Sequence, residues 1–194
     1  KKIADNGFAG LMVFSRGKAE SEGEFYPSET EAQDNYDIID WISRQPWCNA
    51  KIGMVGGSYS GQMQWQATVK LHPALKTIVP QAAAYNGGID VPFMNGVHQT
   101  SGLSWLEYVS TGHYDNFHGR DDEEWNKIFT TYITKGIAFS RLDSLENGRT
   151  NNLYQHMLLH HSYDDYWKRL SQDEAGMAKS NMPVLILKGN FGAE

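Results

Sequence analysis

The sequence has little cysteine, no long apolar run and no excess of positive charge, and each absence excludes a class of protein. Its one cysteine, Cys48, excludes an internal disulfide and leaves no cysteine spacing typical of a zinc site. No apolar run approaches the roughly 20 residues that a membrane-spanning helix needs. The formal net charge of −6 argues against a nucleic-acid binder, which needs a basic face to neutralise phosphates.

What the chain does have is length for a core and many aromatic residues. Its 194 residues are enough for one domain or for part of a larger one. The aromatic content of 12% suits a chain that lines a substrate cleft, and it suits an aromatic-rich core equally well. Residues 1–7 are typical of a closing helical turn with Gly7 as its left-handed stop, so we expect further sequence upstream.

The first 80 residues alternate between strand and helix patterns. Three short apolar runs are typical of buried parallel strands: residues 9–14, 52–55 and 76–80. Helical periodicity lies between them, at residues 28–44 and 60–71. Ser28 and Glu31 have the spacing of a capping box at the start of the first helix. This order predicts two right-handed crossover units of a parallel sheet.

After Pro80 the pattern becomes helical. Four segments show helical periodicity: residues 101–110, 123–135, 151–159 and 164–170. A strand pattern returns at residues 183–187. We therefore predict an α/β core over residues 1–80, a helical cap insertion over residues 81–180, and a return to the core over residues 181–194.

The turn at residues 56–61 carries the chemical signal. Ser58 stands between a predicted strand and a predicted helix and is flanked by small residues. In the α/β-hydrolase fold, this arrangement holds a serine nucleophile over the end of the sheet, and glycines avoid collisions in the tight turn. The alternative is a phosphate-binding turn of a flavodoxin-like or dinucleotide site. The absence of Gly-x-Gly-x-x-Gly and of a P-loop lysine makes that alternative weaker.

Ordered motifs add a family resemblance. They lie at residues 15–17, 21–25, 45–49 and 53–61, and a later segment at residues 161–167 accompanies them. Together they resemble the X-prolyl dipeptidyl-peptidase, cocaine-esterase and α-amino-acid ester hydrolase family (CocE/NonD-type serine hydrolases). The nucleophile motif of that family reads Gly-x-Ser-Tyr-x-Gly, which fits Ser60 and Gly61. The resemblance covers most of the chain and implies an α/β-hydrolase fold, a partial parallel sheet flanked by helices, with a helical cap.

The resemblance implies roles for two residues of this chain. Ser58 matches the nucleophile, and Tyr59 would give its backbone N–H to the oxyanion hole. The second donor of the family is a tyrosine hydroxyl on a segment before Lys1. The resemblance places the aspartate of the triad at the position of Gly192, and the catalytic histidine would lie beyond Glu194.

Six histidines lie in the predicted cap, and each could be considered as a catalytic base or a metal ligand. They are His98, His113, His118, His156, His160 and His161. A general base must reach the serine and be oriented by a third group. Adjacent helical residues point about 100° apart, so His160 and His161 do not form a two-ligand metal site. Structural roles are the default for all six.

The sequence therefore predicts a serine hydrolase that cleaves an ester or amide through an acyl-enzyme, with this chain an internal part of the enzyme. A small-molecule ester, amide or short peptide is the expected partner, without nucleic acid or membrane and without a metal or organic cofactor. An incomplete sheet has open edges that promote association, so a homo-oligomer is a further possibility. The rival hypothesis is a non-catalytic fragment or degenerate homologue that serves binding or assembly.

Overall fold

The computed structural model of the chain describes residues 2–84, 90–110, 122–171 and 180–189. The chain divides into two compact units. The sheet unit comprises residues 1–15, 27–85 and 169–194, and the helical unit comprises residues 16–26 and 86–168. Within the described ranges, no helix combines the length and apolar character that crossing a membrane requires.

A parallel sheet lies at the centre of the sheet unit. Strand β1 (Ile52–Gly57) pairs in parallel with strand β2 (Leu75–Gln81), and helix α3 (Tyr59–Val69) connects the two. The register places Gly57, at the carboxyl end of β1, opposite Gln81. The predicted strand–helix–strand unit over residues 52–80 is confirmed.

Residues 183–187 extend this sheet along β2. Val184 bridges Ile78 in parallel, and Leu187 bridges Gln81. The N–H groups of Leu185 and Leu187 donate to the carbonyls of Ile78 and Pro80 at 3.1 and 3.0 Å. Residues 183–187, where a strand is predicted, therefore pair with β2 through two isolated bridges and not as a continuous strand.

The core of the sheet unit lies on one face of the strands. Helix α2 (Glu31–Ser43) packs with α3, and the buried cluster comprises Ile39, Ala67, Ala74, Leu75 and Ile78. Met54 packs against this cluster, whereas its neighbour Val55 is 58% exposed. Successive strand residues point to opposite faces. The prediction that residues 52–55 are buried is thus correct for one face only.

The prediction of a buried strand at residues 9–14 is wrong. Residues 8–15 belong to no sheet, and Phe8, Met12 and Val13 are 69%, 73% and 51% exposed. An apolar run becomes a strand only when a neighbouring strand supplies ladder hydrogen bonds, and this run is in no ladder. The predicted helical turn before it is confirmed, since helix α1 (Lys2–Asp5) is followed by left-handed Gly7 with φ 79°.

Helix α2 begins at Glu31 and not at Ser28. Ser28 is buried with φ 69°, and Thr30 is the N-cap residue. The predicted capping box of Ser28 and Glu31 is therefore wrong. The Ser28 hydroxyl accepts a hydrogen bond from Gln62 at 3.2 Å, so a contact with α3 takes the place of the cap.

Helices dominate the remainder of the described chain. A hairpin of β3 (Phe93–Met94) and β4 (Val97–His98) precedes them. The helices are α4 (Ser101–Ser110), α5 (Asp122–Thr134), a 3-10 helix (Phe139–Arg141), α6 (Leu142–Asn147), α7 (Asn152–Leu159) and α8 (Asp165–Leu170). All four predicted helices are confirmed, whereas the hairpin, the 3-10 helix and α6 were not expected. The boundaries predicted for core, cap and return remain a prediction.

A second hydrophobic core holds the helical unit together. Its buried members are Leu103, Leu106, Trp125, Ile128, Leu142 and Tyr154. Tyr154 is fully buried, and its hydroxyl donates to the carbonyl of Phe139 at 2.7 Å. Some aromatic residues of this segment therefore belong to the core. An aromatic-rich core was one of the two explanations that the composition allowed.

Candidate active site

Ser58 lies at the junction of β1 and α3, where the backbone is strained. Its φ of 53° and ψ of −125° are unusual for a residue with a side chain. Its N–H donates to the carbonyl of Gln81 at 2.9 Å, which ties the turn to the end of β2. Its carbonyl accepts from the N–H groups of Gly61 and Gln62, which closes the first turn of α3. Ser58 is exposed, so the turn carries the serine at the surface of the sheet unit.

Two glycines make this turn possible because other atoms crowd them. A Cβ at Gly56 would lie 2.7 Å from Cβ of Ser60. A Cβ at Gly61 would lie 3.0 Å from both Cβ of Ala83 and the carbonyl oxygen of Gln81. Real Cβ atoms do not approach other heavy atoms as closely as the first distance, so a side chain at position 56 would force the turn to move. The glycines anticipated from the motif are therefore required by packing.

Gln64 braces the same turn from inside α3. The residue is 1% exposed. Its side-chain Nε2 donates to the carbonyls of Gly56 and Ser60 at 3.1 and 3.0 Å. Its Oε1 accepts from the N–H of Val79 at 2.8 Å. One buried amide thus joins β1, α3 and β2 around Ser58.

Tyr59 is the first residue of α3 and points its side chain away from solvent. Its hydroxyl donates to the carboxylate of Glu31 and accepts from the backbone N–H of Ser28 at 3.2 Å. Burial raises the pKa of the Tyr59 hydroxyl well above its usual value, and the negative charge of Glu31 raises it further. Burial also raises the pKa of the Glu31 carboxyl, although the hydrogen bond from Tyr59 opposes that shift.

Four of the described histidines, His72, His98, His156 and His160, have contacts within their own units. His72 is the single histidine in the sequence of the sheet unit. Its Nδ1 accepts from the N–H of Ala74 at 3.0 Å, and its Nε2 lies 3.6 Å from the Asp40 carboxylate. No hydrogen bond between His72 and Ser58 is present in this part of the structure.

In the helical unit, His160 is held as a structural side chain. Its Nδ1 lies 2.8 Å from Oδ2 of Asp164, and its ring stacks on Tyr166 at 3.9 Å between centroids. His156 lies edge-on to both the His160 and Tyr166 rings. Burial lowers the pKa of His98, whose ring lies against Phe93 and Phe139. Among the described residues, no group of three or more acidic, histidine or cysteine side chains could hold a metal ion.

Three of the sequence predictions fall outside the described residues. They concern His113, His118 and Gly192, the residue at the expected aspartate position. The structure brings Ser58 and Tyr59 together at the turn, where the motif expected them. It does not bring a described histidine of the sheet unit to Ser58.

Sequence reasoning missed the polar residues that support the turn. Glu31 was assigned to a helix cap, and Gln62 and Gln64 were given no role. A signal for the glutamines does exist, because polar side chains recur at positions 62, 64 and 66 of a helix that must pack on a sheet. All three glutamines are at least nine-tenths buried. Buried amides of this kind need hydrogen-bond partners, which points to a network.

Comparisons with known proteins found a matching family model and similar proteins. The family model described as X-Pro dipeptidyl-peptidase (S15 family) matches residues 1–192. Cocaine esterase of Rhodococcus sp. (strain MB1 Bresler) is 42% identical over 79 residues, which are 41% of this chain and 14% of that protein.

Solved structures resemble most of this chain. An α-amino acid ester hydrolase aligns with a TM-score of 0.68 and 23% identity, covering 89% of this chain and 30% of that one. An aminopeptidase from a marine sediment archaeon, Thaumarchaeota archaeon, aligns with a TM-score of 0.67 and 27% identity, covering 91% of this chain and 31% of that one. The chain thus spans less than a third of either solved structure.

Proposed function

Because the chain belongs to the X-Pro dipeptidyl-peptidase (S15) family and has the α/β-hydrolase fold, we propose that it carries the nucleophile of a serine hydrolase. Ser58 is that nucleophile. The observation that carries the proposal is the strained backbone of Ser58, with φ 53° and ψ −125°, directly between β1 and α3. A strained serine on a strand-to-helix turn is how this fold presents its reactive hydroxyl.

The proposed reaction is acyl transfer to Ser58. The Ser58 Oγ attacks the carbonyl carbon of an ester or amide while a histidine takes its proton, and a tetrahedral intermediate forms. The N–H of Tyr59, at the positive end of α3, donates to the oxyanion of that intermediate. The intermediate collapses to an acyl-enzyme, and the histidine returns the proton to the leaving alcohol or amine. Water then hydrolyses the acyl-enzyme.

We propose that the general base lies outside the described residues. The Nδ1 of His72 accepts from the N–H of Ala74 in its own loop, and its Nε2 lies 3.6 Å from the Asp40 carboxylate on α2. We propose that the histidine lies beyond Glu194, as the family resemblance implies, whereas the position that the resemblance assigns to the orienting aspartate holds Gly192 in this chain. A full-length protein is therefore the appropriate material for every activity measurement.

The substrate class follows from the relatives. Their names describe a cocaine esterase, an α-amino acid ester hydrolase and an aminopeptidase. We propose that the full-length protein acts on acyl esters, on α-amino acid esters or amides, or on X-Pro peptides. All three classes present one carbonyl carbon to the same nucleophile.

Labelling with a fluorophosphonate tests this function. The full-length protein should gain one phosphonyl group, and peptide mapping should place it on Ser58. Ser58→Ala should abolish labelling and lower ester hydrolysis by at least about 10³-fold. Ser60→Ala is the matched control, since Ser60 is an exposed serine of the same turn, and it should label like the wild type.

Two results would count against the hydrolase function. A folded full-length protein that gains no label would support the non-catalytic hypothesis. A label on a residue other than Ser58 would move the nucleophile elsewhere.

A further inference from the structure

The Glu31 carboxylate lies in the interior directly behind the serine turn. Glu31 is the first residue of α2, and the residue is 5% exposed. It accepts hydrogen bonds from the Tyr59 hydroxyl and from the backbone N–H of Thr30. A buried carboxylate is costly unless hydrogen bonds compensate it, so the position of Glu31 depends on its donors.

The Tyr59 hydroxyl is held from two sides. It donates to Glu31 and accepts from the N–H of Ser28. Ser28 is in turn fixed by Gln62, whose Nε2 donates to the Ser28 hydroxyl at 3.2 Å. The far end of the tyrosine ring is thereby attached to α2 and to the loop before it, while its backbone begins α3.

A hydrophobic pair of similar volume could fill this space without a buried charge. Replacing buried ionic groups by apolar ones is often neutral or stabilising, so stability alone does not explain a carboxylate here. The hydrogen bond between Glu31 and Tyr59 adds a fixed orientation, because it determines where the Tyr59 hydroxyl lies. An apolar contact leaves the ring free to shift.

Tyr59 follows Ser58 directly, so the orientation of its side chain affects the serine turn. The peptide unit that joins the two residues contains the Tyr59 N–H. Rotation of Tyr59 about its backbone would turn this N–H and change ψ of Ser58, which is already strained. A ring anchored at its far end opposes such a rotation.

We propose that Glu31 is a positioning residue for the oxyanion hole: by holding the Tyr59 hydroxyl, it sets the direction in which the Tyr59 backbone N–H faces the reacting carbonyl. The inference rests on the proposed function. Glu31 acts through Tyr59 and does not contact the substrate. A tyrosine hydroxyl is protonated at neutral pH, and burial raises the pKa of Tyr59 further, so this hydroxyl is available as a donor.

The proposal predicts a selective loss of transition-state binding. Oxyanion-hole donors act only when charge develops on the carbonyl oxygen. A misdirected Tyr59 N–H therefore lowers kcat and leaves KM almost unchanged. It also weakens the binding of an aryl trifluoromethyl ketone, since that inhibitor forms a tetrahedral adduct with an oxyanion.

The experiment uses the full-length protein, p-nitrophenyl butyrate as substrate and an aryl trifluoromethyl ketone as inhibitor. Glu31→Met keeps the size of the side chain and removes the acceptor, and Tyr59→Phe removes the hydroxyl that donates to Glu31 and accepts from the N–H of Ser28. Since a complete donor is worth about 10²–10³-fold in kcat, we expect each variant to lose about 10-fold in kcat/KM. The inhibition constant should rise by the same factor.

Two further variants distinguish a positioning role of Glu31 from a purely structural role. Glu31→Gln retains an acceptor oxygen and should stay within about 3-fold of the wild type. The double variant Glu31→Met/Tyr59→Phe should lose less than the product of the two single losses, because both single changes remove the hydrogen bond between Tyr59 and Glu31. If Glu31→Met fails to fold, Tyr59→Phe with the inhibitor decides the question.

The proposal is overturned if the folded variants keep both kcat/KM and inhibitor affinity within about 2-fold of the wild type. It is also overturned if the loss is confined to KM, or if the two single losses multiply in the double variant. These results differ from failure of the hydrolase function itself. In that case the wild-type protein would not react with the fluorophosphonate, and both proposals would fall.

Discussion

The side-chain oxygen of Gln64 accepts a 2.8 Å hydrogen bond from the backbone N–H of Val79, across the boundary between α3 and β2. The same side chain binds the carbonyls of Gly56 and Ser60 through its nitrogen. A single residue therefore satisfies three backbone groups around the serine turn. The stability of this turn should depend on it more than on any one apolar contact.

We expect Gln64→Met to lower the free energy of unfolding by about 2–4 kcal/mol, because each buried backbone group that loses its partner costs about 1–3 kcal/mol. Methionine has a similar size, so the change removes the hydrogen bonds with little loss of volume. Urea unfolding of both proteins measures the difference. Gln33→Met is the control, since the Gln33 side chain bonds Asp37 at the surface, and it should cost less than about 0.5 kcal/mol. Equal costs at the two positions would contradict the bracing role.

Gly56 and Gly57 are neighbours with opposite tolerance for a side chain. A Cβ at Gly56 would meet Cβ of Ser60 at 2.7 Å, whereas at Gly57 the nearest atom, the Gln81 oxygen, lies at an ordinary 3.7 Å. We expect Gly56→Ala to lower the free energy of unfolding by about 1–3 kcal/mol through overpacking and to slow phosphonate labelling. Gly57→Ala should leave both quantities close to the wild type. Thermal unfolding and the labelling rate measure the contrast, and a harmless Gly56→Ala would show that the turn has room to move.

Replacing Gly148 or Gly102 by alanine should change stability in opposite directions. Gly148 ends α6 with φ 74°, and its N–H donates to the carbonyl of Ser144 at 3.0 Å. Gly148→Ala should cost about 1 kcal/mol, because a left-handed conformation disfavours any side chain. Gly102 lies within α4, where a Cβ would meet Met157 at a comfortable 3.7 Å. Gly102→Ala should instead stabilise by about 0.4–1 kcal/mol. Unfolding temperatures that shift in the same direction would contradict this assignment.

The His160–Asp164 contact should make stability depend on pH. The hydrogen bond from His160 lowers the pKa of Asp164 below its usual value of 3.8. A carboxyl with a lowered folded-state pKa contributes stability above its unfolded-state pKa and loses it as the pH falls through the folded-state value. Asp164→Asn should therefore lower the unfolding temperature at neutral pH, and its difference from the wild type should shrink below pH 3.8.

The matched control for that experiment is Asp165→Asn. Asp165 pairs with Lys168 at 2.9 Å, but its side chain is 92% exposed. Exposed pairs contribute little, so the control should unfold like the wild type at every pH. A constant difference between Asp164→Asn and the wild type across the pH range would show that the charge of Asp164 has no role.

Much of the fold and the centre of the candidate site could be predicted from local patterns. The strand–turn–helix around Ser58 needs only an apolar run, small residues at the turn and a helix-forming segment. The four predicted helices follow from periodicity over ten or so residues. The run at residues 9–14 has the same local pattern as β1, yet it lies in no sheet. A strand requires partners, and the local sequence does not specify them.

By itself, the amino-acid sequence determined which residue stands at the tight turn, where the longer helices lie, and to which family the chain belongs. These features depend on residues that are close together along the chain. Only the tertiary structure decided that Glu31 meets Tyr59, 28 residues away, and that the amide of Gln64 joins two strands and a helix. The physical reason is that a buried polar group must find its partner wherever packing brings one, and that partner has no fixed sequence spacing.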